Sequence, residues 1–217
     1  MINLLLQNPF SFIIFVLLLL VVVTIHEFSH AFVADRLGDP TPRLHGRLTL
    51  NPASHLDPIG SLLFILAGFG WGKPVPFDPF NLRHPKKDAA LISFAGPLSN
   101  MVMALIAGLI LRFMVFTPAL TFPLWSADLF TSFIRLNILL AVFNLIPVHP
   151  LDGFKVVAGV LPEKYYHDWL ELERYGMIFL IFLIFPFFGN SPIFAVLSPL
   201  INFFMSLLIP SQMGGII

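Results

Sequence analysis

Five residues in the first quarter of the chain, His26-Glu27-Phe28-Ser29-His30, have the types and spacing needed for metal-assisted hydrolysis. On a helix, positions four apart lie about 40° apart around the axis and about 6 Å along it, so both imidazoles leave one face. Two such imidazoles can hold one Zn2+ at about 2.0–2.1 Å, and the carboxylate between them reaches the water on the metal. Zinc lowers the pKa of that water to near 7, and Glu27 takes its proton as it attacks a carbonyl carbon. With seven His and four Glu in 217 residues, composition alone yields about 0.004 occurrences of this pattern.

A catalytic zinc keeps three protein ligands and one open position. The third is expected from Asn144-Leu-Ile-Pro147-Val-His149-Pro150-Leu-Asp152-Gly153, where two prolines and a glycine interrupt an apolar run. Irregular backbone at membrane depth is tolerated only when buried in protein or lining a wet cavity. Asp152 supplies a carboxylate there; the alternative is that it only caps a helix beginning at Gly153. His149 is a further candidate metal contact.

These groups must be positioned by membrane elements. The chain is 57% hydrophobic and 11% charged, with a mean hydropathy of +0.88, against roughly a quarter charged for soluble domains. It has no Cys, which excludes thiol chemistry and disulfides, and its 12 basic and 12 acidic residues leave no cationic excess for nucleic acid. Residues 10–37 make an apolar run long enough to span, and the absence of Lys and Arg from residues 1–10 argues against a cleaved leader. Further charge-free runs cover 89–111, 136–151 and 175–217, the last divided by the turn cluster at 186–192. Residues 60–71 are apolar but too short to cross, so a re-entrant segment is expected, and the loose alternation over 40–57 predicts one or two short strands. The expectation is a membrane all-α fold: a polytopic bundle of about five transmembrane helices, a re-entrant segment and a short membrane-associated β-strand region. One domain covers 1–217, with a core at about 10–153 and a C-terminal helix pair at about 172–210. Ten of the cations fall on one side of such a bundle, which places that side in the cytoplasm and the N-terminus outside.

The order of motifs resembles the site-2 protease family of intramembrane zinc metalloproteases, in a compact form without an appended peptide-binding or nucleotide-sensing domain. The resemblance rests on His26-Glu-x-x-His30 and Asn144-x-x-Pro147-x-x-Pro150-Leu-Asp152-Gly153. Two further stretches match: Gly46-Arg-Leu-Thr-Leu-Asn51-Pro52-x-x-His55-x-Asp57-Pro58-x-Gly60, and Phe94-Ala-Gly96-Pro97-x-x-Asn100. It implies one zinc per chain on His26, His30 and Asp152, with Glu27 as the catalytic base and Asn144 beside the substrate or its oxyanion. It also implies His55 as a near-site residue, the alternative being a histidine at the membrane–water boundary. Asn100 either orients substrate or hydrogen-bonds between helices.

The implied activity is hydrolysis of a peptide bond within or near the transmembrane segment of a membrane-protein substrate, as in regulated intramembrane proteolysis. Such a bond is shielded inside a helix, so the substrate must unwind. A strand edge near 43–51, with Gly46 and Leu48 in contact, is expected to hold it, and the active site is expected to open toward the cytoplasm. Two alternatives use the same residues: a transition-metal transporter or channel, and a scaffold that binds transmembrane helices without cutting them.

Overall fold

The computed structural model describes residues 2–67, 70–117, 123–185 and 191–210. In chain order the helices are α1 (Ile2–Gln7), α2 (Pro9–Arg36), α3 (Thr41–Leu44), α4 (Pro58–Ala67), α5 (Pro85–Phe116), α6 (Leu124–Asn144), α7 (Asp152–Val160), α8 (Glu163–Glu171), α9 (Glu173–Ile184) and α10 (Pro192–Leu208). Three of them, α2, α5 and α6, are long and apolar enough to cross a membrane. This corrects the expected five. At 1.5 Å per residue, α9 reaches about 18 Å and α10 about 26 Å, short of a hydrocarbon core about 30 Å thick. Residues 186–190 of the turn cluster lie outside the described residues.

Local chemistry sets the ends of α2. The Asn8 side chain accepts from the Ser11 amide at 3.0 Å, with Pro9 at the first helical position. Beyond Leu37 the chain turns through Gly38 at φ 106°, a left-handed conformation in which glycine is not strained.

α5 is the central helix, packed against α2, α6 and α7. Its small residues Ala104 and Ala107 share a buried cluster with Ile134, Ile138 and Val142 of α6 and Ile193, Leu197, Ile201 and Met205 of α10. The three- and four-residue spacing gives each helix one packing stripe, and small residues let backbones approach where lipid offers no hydrophobic drive. The Arg112 guanidinium donates to the carbonyls of Leu207 and Leu208, closing the C-terminal end of α10.

The expected strand region is not found. Residues 40–57 form α3, a turn at Gly46 with φ 65°, and a 3-10 turn at Pro52–Ser54. Short polar side chains bond the local backbone instead: Asp39 accepts from the Thr41 amide and Asn51 from the Ala53 amide, and such local bonds compete with a ladder. Among the described residues the β pairing is an isolated antiparallel bridge, Leu56 with Gly72. That bridge, with the Lys73 amide donating to the His55 carbonyl at 2.8 Å, brings together the two ends of the segment containing α4. Inside it, Gly60 and Gly70 bring backbone onto backbone: a Cβ on Gly60 would lie 2.2 Å from the Trp71 carbonyl oxygen.

Candidate metal centre

His26 and His30 lie one turn apart on α2, both buried. α5 faces them with Ile92, Gly96 and Asn100, a stripe at four-residue spacing. Each end of that stripe holds one ring: His30 Nδ1 lies 2.7 Å from the Ile92 carbonyl and His26 Nδ1 2.7 Å from Asn100 Oδ1. Both partners are acceptors, so each Nδ1 carries the hydrogen and each Nε2 keeps a bare lone pair. Gly96 makes this approach possible, since a Cβ there would stand 2.4 Å from His30 Nε2 and 2.7 Å from His26 Cε1.

The third group arrives at the first residue of α7. After α6 ends, the chain folds back tightly at Gly153, where a Cβ would lie 2.3 Å from the Leu145 carbonyl oxygen and 2.5 Å from that of Ile146. Only glycine fits that turn, and it delivers Asp152 to the imidazoles. Asp152 Oδ2 lies 3.2 Å from His26 Nε2 and 3.3 Å from His30 Nε2, and the two nitrogens are 3.1 Å apart.

Three atoms bearing lone pairs thus face one another with no proton between them. Asp152 Oδ2 is buried and lacks a hydrogen-bond partner, an arrangement that is costly unless a cation sits among the three. Ligands about 2.0 Å from a tetrahedral zinc stand about 3.3 Å apart, which matches the observed triangle. His26, His30 and Asp152 form the metal-ligating group among the described residues. Donor type, tautomer and spacing all fit zinc.

A cavity of about 140 Å3 opens beside the triangle, with Glu27, Asn144, Val75 and Phe77 in its walls. Glu27 follows His26 on α2, so its carboxylate reaches the space next to the ligands. Asn144 also lines the cavity, its amide donating to the Leu140 carbonyl at 2.9 Å.

The other expected site residues lie elsewhere. Asn100 is fully buried and serves His26 instead of lining the cavity. His55 is 1% exposed and outside the cavity wall, its Nε2 donating to the Thr49 carbonyl at 2.9 Å. Gly72 intervenes, since a Cβ there would lie 3.2 Å from the His55 carbonyl and 4.0 Å from Glu27 Oε1. Gly46 is exposed and Leu48 half-buried; neither lines the cavity. His149 turns away from the metal triangle to pair with Glu173 Oε1 at 3.2 Å.

Two residues were given no part by their spacing. Arg47 is buried and donates to the carbonyls of Ser54 and Lys73, tying the loop around His55 to the cavity wall. Asp39, also buried, accepts from the Asp78 amide and the Asn81 side chain, each at 2.8 Å. Burial opposes its charge, but the hydrogen bonds from Thr41, Asn81 and Asp78 prevail and hold its pKa below the usual carboxylate value.

Comparison with known proteins agrees with this chemistry. The chain is 38% identical over 191 residues to a Bacillus subtilis protein named "Putative zinc metalloprotease YwhC", covering 86% of this chain and 85% of that one. It is 31% identical over 188 residues to Rip2 of Mycolicibacterium smegmatis, which has the same designation, covering 82% and 70% of the two chains. A more distant relative, "Zinc metalloprotease MJ0392" of Methanocaldococcus jannaschii, is 24% identical over 73% of this chain and 38% of its own length. No protein-family model matches the chain, and no solved structure matches it significantly. With two imidazoles and a carboxylate set for zinc in an apolar helical bundle, and relatives of this kind over most of its length, the chain belongs to the site-2 protease family of zinc metalloproteases.

Proposed function

We propose that the protein is a zinc-dependent intramembrane endopeptidase that hydrolyses a peptide bond within or near the transmembrane segment of a membrane-protein substrate. The observation that supports this most is the placement of Glu27: a carboxylate beside the ligand triangle, in a cavity walled in part by the membrane-length helices α2 and α5. A transport site or a scaffold needs the ligands but has no use for a base next to them.

When bound, zinc polarises the scissile carbonyl and acidifies water. Glu27 accepts the proton of the attacking water, holds it, and returns it to the departing amine. Asn144 gives one amide hydrogen to the Leu140 carbonyl and keeps the second for a substrate oxygen.

The substrate has to arrive unwound, because a helical peptide bond is internally hydrogen-bonded. Without a strand edge at 43–51, the segment that lines the cavity takes that place. Residues 73–77 read Lys-Pro-Val-Pro-Phe; residues before proline are held extended, and the N–H and C=O of Val75 make no hydrogen bond within the described residues. Strand-like pairing there would present the substrate backbone to the cavity. The positive-inside bias supports a cytoplasmic opening and an external N-terminus.

The test mixes purified protein with single-span substrates, with and without a zinc chelator, and maps products by mass spectrometry. Glu27→Gln is expected to lower cleavage by about 10²- to 10⁴-fold while zinc stays bound. Cleavage at the wild-type rate by that variant would overturn the mechanism.

A further inference from the structure

Asn137 of α6 belongs to none of the motifs above, yet it is fully buried on a face otherwise made of Ile134, Ile138 and Ala141. An unpaired amide in such a place is expensive, and both ends of this one are used. Its Nδ2 donates to the Phe133 carbonyl at 2.9 Å, and its Oδ1 accepts from Asn100 Nδ2 at 3.0 Å. Asn100 Nδ2 also donates to the Val22 carbonyl at 3.3 Å, and Asn100 Oδ1 faces His26 Nδ1 at 2.7 Å.

The direction of every bond is fixed from outside. Backbone carbonyls only accept, so Phe133 and Val22 orient the NH2 ends of the two amides toward themselves. Asn137 must then offer its oxygen to Asn100, and Asn100 its oxygen to His26. His26 is left with one choice, the hydrogen on Nδ1 and the lone pair on Nε2.

We propose that Asn137 is a positioning residue for the metal centre: acting through Asn100, it fixes the tautomer and aim of His26. Without the Asn137 oxygen, the Asn100 amide loses one of its two anchors. A flipped amide would present NH2 to His26 Nδ1, favouring the tautomer whose Nε2 carries a hydrogen and cannot bind metal. The inference rests on the zinc-centre reading, and partners of this kind typically contribute about 10- to 100-fold in metal affinity.

The experiment measures zinc affinity of detergent-purified protein by competition with a chromophoric chelator, alongside the visible absorption of the Co2+-substituted form. Asn137→Leu, close in shape and apolar, is expected to raise the zinc Kd about 10- to 100-fold and to change the Co2+ spectrum. Asn137→Asp, which as a neutral buried acid offers its hydroxyl to Phe133 and its carbonyl oxygen to Asn100, is expected to stay within about threefold of wild type. Ile134→Ala, equally buried on the same helix but without a path to His26, controls for loss of packing. Asn137→Ser, whose hydroxyl is too short for the relay, repeats the Leu result should that variant not fold. Wild-type affinity and spectrum in Asn137→Leu or Asn137→Ser, or an equal loss in Ile134→Ala, overturns the inference. Wild-type protein that takes up no zinc overturns the metal-centre reading itself.

Discussion

At Gly96 one missing methyl group decides whether the ligands can converge. A Cβ at 2.4–2.7 Å from both imidazoles leaves no room, and α5 cannot retreat without dragging Ile92 and Asn100 from the rings they hold. Gly96→Ala is therefore expected to weaken zinc binding by roughly 10- to 100-fold, the equivalent of the about 1–3 kcal/mol that overpacking costs. Metal analysis of the purified variant checks this. At this scale the sequence was most legible where the chemistry is local. His26, Glu27 and His30 are set by helical periodicity alone, and Asp152 was readable because prolines and a glycine mark the break that delivers it. Asn100 was visible as a polar residue in an apolar run, but its partner was not. Asn137 lies 37 residues away, and Asp39 reaches Asn81 across 42. No periodicity carries information over such separations; only packing creates these pairs.

Among the elements, the stretch after α2 shows where local reading failed. Alternation over 40–57 gave a plausible strand, but a strand needs a neighbour, and among the described residues this one finds only the single bridge from Leu56 to Gly72. The backbone was satisfied instead by Asx-type bonds at Asp39 and Asn51, with prolines at 40, 42 and 52 removing ladder donors. Asp39 joins the end of α2 to the turn at Pro79–Asn81 and so anchors the segment that lines the cavity. Asp39→Ala is expected to destabilise the protein by about 2–3 kcal/mol. The effect has a pH signature. With the folded pKa held below its unfolded value, the ionised group stabilises the protein above about pH 4, and this is lost as pH falls through the lowered value. Thermal unfolding from pH 7 to pH 3 should show the gap between wild type and Asp39→Ala closing at the acid end.

For the whole molecule, the bundle was legible in outline and overcounted in detail. Apolar runs locate helices well, but α9 and α10 divide a run whose length alone left room for two crossings. The metal ligands come from α2 and α7, elements far apart in the chain, so a bound ion acts as a cross-link between them. Zinc removal by a chelator is expected to lower the thermal midpoint of wild-type protein, by about 2.7 kcal/mol of stability for an ion present at a hundred times its Kd. In Asp152→Ala the chelator should change nothing.

The meeting of Leu56 with Gly72 has a topological result. A segment that begins and ends at one point makes an even number of passages through the bilayer, whatever its depth. The end of α2 and the start of α5 are therefore expected to lie in the same compartment, since α4, the helix between the bridged ends, is too short to cross. The chain has no cysteine of its own, so Leu44→Cys and Arg83→Cys, both at exposed positions, each carry a unique thiol. A membrane-impermeant maleimide applied to sealed vesicles should modify both or neither; labelling of one alone would mean that the intervening stretch passes from face to face.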